Sequence, residues 1–370
     1  MSALARISSS LVLFLLALTV RAAESPDPLA QDLIQRYSLE ESEAPVKERA
    51  GWHKPRRILV GGMATQMIPA LKASAPDVEF IPVRSAEAVR QAANVDALFG
   101  ICTPEIVAAG KSVQWIHMVT AGIEQCLANP ELRERKILVT NMQRIGGPVI
   151  AEHAIAMMLA FTRGLDIYIP AQAKEEFRRA TPPGRMEVVS GKTMLVVGLG
   201  GIGTEVAKRA SALGMKVVAT RNSGRTGPDY VSYVGLPDEL PKLAAEADFI
   251  VNAAPLTAQT TGMFNAAFFA RMKPSAYFIN IARGGSVVTD DLVAALKKRR
   301  IAGAALDVTE PEPLPPGHPL WQAPNIIITP HVANDSDLGY GAQTEVTKEN
   351  LRRFSAGEKM LSVVDVGRGY

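Results

Sequence analysis

MLVVGLGGIG, residues Met194–Gly203, is the stretch from which the rest of the chain is read. Four apolar residues with strand character, Met194–Val197, run into a G-x-G-x-x-G turn made of Gly198, Gly200 and Gly203. A helical stretch, TEVAKRASALG, follows, and Lys216–Thr220 (KVVAT) supplies the next strand. In this setting each glycine has a mechanical role. The first permits a tight turn, the second lets a pyrophosphate approach the backbone, and the third lets helix and strand pack closely. Gly201 and Ile202 open the helix, whose free N–H groups and partial positive charge suit phosphate. Three glycines alone would be a weak signal, but with strand, helix and second strand all in place the expectation is dinucleotide binding.

The end of the second strand selects the dinucleotide. A carboxylate there would accept hydrogen bonds from the adenosine ribose 2′-hydroxyl. The position is instead Arg221, 18 residues after Gly203. A guanidinium cannot accept that bond, but its planar fork suits a 2′-phosphate. Ser223 and Arg225 can add donors. NADP(H) is therefore the preferred cofactor, with NAD(H) left open.

Outward from this unit, strands and helices alternate twice. The first series has strand candidates Arg57–Gly61, Val78–Val83, Asp96–Ile101, Val113–Val119 and Ile137–Thr140. Between them lie helical stretches at Met63–Ala75, continuous despite Pro69 or split there, at Ser85–Ala93, and at Thr103–Ala109 with Pro104 in its first turn. Pro148–Arg163 is apolar nearly all round and reads as a buried connecting helix. The second series adds strands at Phe249–Ala253, Tyr277–Ile281, Ile301–Leu306 and Ile326–Thr329. A last helix, Asp335–Phe354, is placed to return to the first domain. This alternation predicts an α/β protein with two doubly wound parallel sheets: a flavodoxin-like substrate domain and a Rossmann dinucleotide-binding domain. The expected boundaries are 53–147 plus 333–370 for the substrate domain and 148–332 for the Rossmann domain, with 24–52 a polar leader segment.

The N-terminus has a different character. MSALARISSS carries one positive charge and precedes the apolar run LVLFLLALTV, with Ala22 and Ala23 before a polar, proline-containing stretch. That is the order of a secretory signal peptide, and the apolar run is short for a membrane span. Residues 1–23 are thus expected to direct export or, if uncleaved, to anchor the chain in a membrane; a cytoplasmic location is the alternative. The chain has 370 residues, 47% of them hydrophobic, and a formal net charge of +3. Removing Arg6 and Arg21 with the leader leaves 38 basic against 37 acidic residues. So balanced a chain does not point to nucleic acid. The two cysteines, Cys102 and Cys126, do not make a disulfide scaffold and read as inert buried thiols.

Three later segments carry candidate chemistry: NIARGGSVVTDDL (280–292), ALDVTEPEPLPPGHPLW (305–321) and NIIITPHVA (325–333). Hydride transfer from a dinucleotide to a carbonyl requires a cation to polarise the carbonyl, a proton donor for the developing alkoxide, and a nearby hydride. Arg283 leaves an apolar strand before two glycines, where its fork can reach a carboxylate. His331, at the end of the strand IIIT, is the best proton-transfer candidate among the five histidines.

Together with the glycine turn, VNAAPLTAQTTGMF and VTAGIEQ, these segments resemble the D-isomer-specific 2-hydroxyacid dehydrogenases, from about Arg57 to Tyr370. The resemblance implies that Arg283 binds the substrate carboxylate and that His331 is the acid in reduction and the base in oxidation. Glu312, five residues after Asp307, would orient the imidazole; Glu310 is out of that register. It also implies that backbone N–H groups at Ala121 and Gly122 hold the substrate carboxylate from the opposite side. Ala254 and Pro255 would wall the adenine side, Asp307 and the Ile281 carbonyl would orient the carboxamide, and Thr260 is a weaker phosphate-side candidate. The resemblance further implies a substrate such as glyoxylate, hydroxypyruvate or a related 2-keto or D-2-hydroxy acid, and a homodimer formed through the connecting helix. The competing reading is a dinucleotide-sensing, corepressor-like binding protein on the same scaffold.

His117 and His153 lack partners at metal-ligand spacing, and no metal is expected. The MATQM loop (Met63–Met67) suits either a substrate border or core filling. Lys297–Arg300 reads as the solvated end of a helix.

Overall fold

A computed structural model of the chain describes residues 28–369 except 84, 178, 180–184 and 338. The apolar leader at 1–23 lies outside the described residues. The first sheet consists of β1 (Arg57–Val60), β2 (Glu79–Pro82), β3 (Ala97–Phe99), β4 (Trp115–His117) and β5 (Leu138–Thr140), in the order β2-β1-β3-β4-β5. Every pairing in it is parallel. The second consists of β6 (Thr193–Val197), β7 (Lys216–Thr220), β8 (Tyr233–Gly235), β9 (Phe249–Asn252), β10 (Tyr277–Asn280), β11 (Gly303–Leu306) and β12 (Ile326–Ile328). Its order is β12-β11-β10-β9-β6-β7-β8, again all parallel. The two orders are the flavodoxin-like and Rossmann arrangements of doubly wound sheets.

The strands read as apolar runs because helices cover both faces of each sheet. Strands β3, β4, β5, β9, β10 and β11 are buried at every residue. The connecting helix spans Gly147–Thr162 and buries Ala151, Ala154, Met158 and Phe161 against the glycine-turn helix Gly201–Ala212 and β6. The final helix, Gly339–Ala356, packs on the helix Ile68–Ser74 of the first sheet's layer. Pro69 occupies the first turn of that short helix, where its missing N–H costs nothing, and a 3₁₀ segment, Gly62–Met67, precedes it.

Three features depart from the sequence reading. Strand β8 was not anticipated: three residues at a sheet edge, with Tyr233 exposed, are too few to show a period. The segment expected to be a polar leader carries a helix, Pro28–Arg36, and buries Leu33, Tyr37 and Leu39 against Met142, Ile145, Val346 and Leu361. Its apolar residues are sparse, so composition alone reads as polar, yet they fall on one face. Lastly, Cys102 and Cys126 are buried as expected but are joined in a disulfide, with Cα atoms 5.1 Å apart. Their 24-residue separation gave no hint, because the crossover through β4 is what brings the two loops together.

Loops that leave the C-terminal strand ends of the two sheets meet: Gly201, after β6, lies against Gln143, after β5, and Arg283, after β10, against Gly122, after β4. That is where doubly wound sheets place ligands.

Candidate active site

The glycine turn follows β6 directly. Gly198 has φ +92°, a conformation side chains rarely adopt, and a Cβ there would lie 2.7 Å from the backbone of Ala254. A Cβ on Gly203 would meet the Gly198 carbonyl at 2.0 Å, so the helix can sit this close to the strand only with glycine. Gly200 differs: a Cβ there meets nothing within 4 Å. The middle glycine therefore faces open space, as a backbone offered to a ligand must. Gly201 packs instead against the Gln143 carbonyl, and Ile202 against the core around the connecting helix.

At the end of β7, the Arg221 N–H donates to the Gly235 carbonyl of β8 and its Nη1 donates to the Thr226 carbonyl at 3.1 Å. Arg225 is drawn sideways by Glu239, 2.7 Å away, and donates to the Tyr233 hydroxyl. Ser223 lies exposed between them. The two arginines thus differ: the Arg225 guanidinium already meets a carboxylate, whereas that of Arg221 donates to a backbone carbonyl.

The cofactor-side loops are fixed by a buried amide network absent from the sequence reading. Asn252, at the end of β9, donates to Asn280 Oδ1 and to the Ser286 hydroxyl, both at 2.9 Å, and accepts from the Ala254 N–H. Asn280, at the end of β10, accepts from the Ala282 N–H and donates to the Arg283 carbonyl at 3.0 Å. Ser286 also donates to the Arg283 carbonyl, at 2.7 Å. Three small polar side chains, each at most 2% exposed, thereby set the backbone of Ala254 and of Arg283. Strand-terminal asparagines are the one sequence signal that could have revealed them. Pro255 and Thr260 belong to one self-contained turn, in which the Thr260 hydroxyl donates to the Pro255 carbonyl and accepts from the Thr257 N–H. Ile281 is buried beside them, its N–H bonded to the Asn252 carbonyl.

Arg283 reaches across to the other domain. Its Nη1 donates to the Ala282 carbonyl at 2.7 Å, and its Nε lies 2.9 Å from Glu124 Oε1. Its Nη2 lies so close to Gly122 that a Cβ there would be 1.9 Å away. The loop carrying Ala121 and Gly122 is held from behind by Asn141, whose amide donates to the Ala121 carbonyl, and by the Thr120 hydroxyl donating to the Gly122 carbonyl. Glu124 begins a one-turn helix, Glu124–Leu127, that the disulfide at Cys126 ties to the loop after β3.

His331 has φ +56° and a backbone N–H that donates to the Asp307 carbonyl. Its Nδ1 donates to Glu312 Oε1 at 2.6 Å. The carboxylate bonded to the imidazole is that of Glu312. Asp307 itself is 2% exposed, and its carboxylate accepts from the Thr329 hydroxyl and from the N–H groups of Val332 and Ala333. In this structure it clamps the turn that presents His331. His153, on the connecting helix, joins the clamp through Thr329 at 3.0 Å. His117 lies elsewhere, fully buried between Thr140 and Thr347, and burial pushes its pKa down to about 3. Met67 is buried while Met63 is exposed, so the MATQM loop divides between core and surface. Among the described residues no group of three or more His, Cys, Asp or Glu is placed to hold a metal.

The family model for the NAD-binding domain of D-isomer-specific 2-hydroxyacid dehydrogenases matches residues 155–333. Glyoxylate/hydroxypyruvate reductase A of Photorhabdus laumondii is 33% identical over 271 residues, which is 72% of this chain and 84% of that protein. The chain belongs to the D-isomer-specific 2-hydroxyacid dehydrogenases. Two solved structures are similar to this dehydrogenase at 28% identity and a TM-score of 0.73, each over 85% of the chain. One is an NADPH-dependent glyoxylate/hydroxypyruvate reductase from Sinorhizobium meliloti in complex with NADP and sulfate, covered in full. The other is a D-isomer-specific 2-hydroxyacid dehydrogenase from Xanthobacter autotrophicus Py2 in complex with NADPH and MES, covered over 99%. The open face of Gly200, flanked by two glycines that steric contact makes necessary, fits a dinucleotide pyrophosphate in this dehydrogenase too.

Proposed function

We propose that this dehydrogenase is an NADP(H)-preferring reductase of small 2-keto acids of the glyoxylate and hydroxypyruvate class. The observation that carries the reading is the approach of the Arg283 guanidinium, at the C-terminal end of β10, to Gly122 of the other domain; a hydrogen-bonded His331–Glu312 pair follows β12, two strands away in the same sheet. Arg283 would pair with the substrate carboxylate and polarise the ketone, while backbone N–H groups at Ala121 and Gly122 hold the carboxylate from the other side. Glu312 accepts the Nδ1 proton of His331, so Nε2 is the atom left to give a proton to the alkoxide in reduction and to take one in oxidation. A nicotinamide bound here would supply or accept the hydride. Gly200 and the first turn of its helix would hold the pyrophosphate, and Arg221 the 2′-phosphate. The relatives solved with NADP or NADPH support that preference.

The test is spectrophotometric. Purified protein is given NADPH or NADH with glyoxylate or hydroxypyruvate, and nicotinamide absorbance is followed. Turnover with at least about tenfold higher kcat/KM for NADPH is expected. No turnover on a panel of 2-keto acids ends the reductase reading, and equal efficiency with both cofactors ends the role given to Arg221.

We also propose export and homodimer formation. Export is supported by the leader-like sequence of residues 1–23 and by the buried disulfide, since disulfides persist in oxidising compartments. Cell fractionation with N-terminal sequencing decides it. The dimer is supported by the apolar residues Leu165, Ile169 and Val188 left exposed beside the connecting helix. Among the described residues no single helix is long and apolar enough to cross a membrane.

A further inference from the structure

Arg283 meets a carboxylate of its own chain. Glu124 Oε1 lies 2.9 Å from Arg283 Nε, and its other oxygen lies 2.5 Å from the point a Cβ on Gly122 would occupy, the point Arg283 Nη2 also crowds. Glu124 thus sits on the loop assigned to the substrate carboxylate and touches the cation assigned to that same group. Its backbone is poorly placed to retreat. It opens a one-turn helix whose third residue, Cys126, is buried and disulfide-bonded to Cys102, and the preceding loop is tied by Asn141 and Thr120. The side chain, about a third exposed, can swing, but its charge stays at the site.

We propose that Glu124 sets the substrate range of this enzyme, restricting it to 2-keto monocarboxylates whose third carbon is absent or bears a hydrogen-bond donor. The inference rests on reading the cleft as a 2-keto acid site. Two anions cannot share one guanidinium without cost, so an arriving carboxylate must displace Glu124 from Arg283. Once displaced, Glu124 remains beside the substrate as an acceptor only. It welcomes a hydroxyl or ammonium group at the third carbon and repels a second carboxylate, which discriminates by an unfavourable contact with the wrong ligand.

The experiment compares the full chain with E124Q, which keeps the shape and removes the charge, and with E124A, which removes both. Binding of oxamate, a monoanion, and oxalate, a dianion, is measured by calorimetry without cofactor. E124Q is expected to bind oxalate at least about tenfold more tightly than the parent, with a smaller gain for oxamate. In turnover, the ratio of kcat/KM for oxaloacetate to that for hydroxypyruvate rises at least about tenfold in both variants. Weaker binding of both anions by both folded variants, with an unchanged substrate ratio, overturns the proposal and makes Glu124 a residue that merely positions Arg283. Absence of anion binding in every protein overturns it as well. If the parent turns over no 2-keto acid, the reductase reading fails, and the calorimetry still decides the role of Glu124.

Discussion

His331 holds a backbone conformation that few side chains accept, φ +56°, because three bonds to Asp307 fix the turn around it: its own N–H to the carbonyl, and the N–H groups of Val332 and Ala333 to the carboxylate. Asparagine tolerates the same region better than most residues, so His331→Asn tests the imidazole without breaking the turn. It is expected to lower kcat about 10²- to 10⁴-fold while KM changes little, measured in the hydroxypyruvate assay. His117 illustrates the opposite use of the same residue type. Burial keeps it neutral, with its pKa lowered from 6.5 to about 3. Below about pH 6.5 the unfolded chain takes up a proton there that the folded chain refuses until about pH 3. The unfolded state binds more protons in that window, so stability falls as pH drops through it, by up to about 1.4 kcal/mol per pH unit. His117→Gln should start with a lower Tm, yet its Tm should decline less than that of the parent between pH 6 and pH 4. Parallel declines would show that another group governs the acid sensitivity.

The glycine turn is one element whose three glycines serve different ends. Gly203→Ala drives a methyl group into the Gly198 carbonyl, so a loss of several degrees in Tm is expected, with weakened NADPH binding as a consequence. Gly200→Ala meets only open space inside the chain, so Tm without cofactor should hold while NADPH affinity falls at least about tenfold, read by nicotinamide fluorescence. The same loss of Tm in both variants would remove the argument that Gly200 is kept for the ligand. The disulfide acts on another element, the substrate loop. Closing a 24-residue separation is worth about 3 kcal/mol by loop-closure entropy. Protein purified without reductant and unfolded in denaturant should show no free thiol, and Cys102→Ser/Cys126→Ser should melt at lower temperature. Two titratable thiols in the native preparation would argue against the bridge.

At the scale of the whole molecule, the two sheets meet where their strands end, and the final helix returns to the first domain over the helix Ile68–Ser74. An apolar strip remains beside the connecting helix, with Ile169 61% and Val188 70% exposed. Ile169→Glu should convert the proposed dimer to a monomer in light scattering; a parent already monomeric at micromolar concentration would refute the dimer.

Both sheets except the edge strand β8 were legible in the sequence, since strands buried on two faces must be apolar runs, and turns that hold phosphate must use glycine where a Cβ would collide. Arg283 and His331 were legible as candidate reacting groups from their residue type and their places at strand ends, and Glu312 through the family resemblance. The contacts between distant loops were not legible there and come from the tertiary fold. The Asn252–Asn280–Ser286 network, the Cys102–Cys126 bridge and the contact of Glu124 with Arg283 each join residues 24 to 159 positions apart in the chain. Periodicity reports which face of an element is buried; it carries no information about which distant loop the fold will set against it.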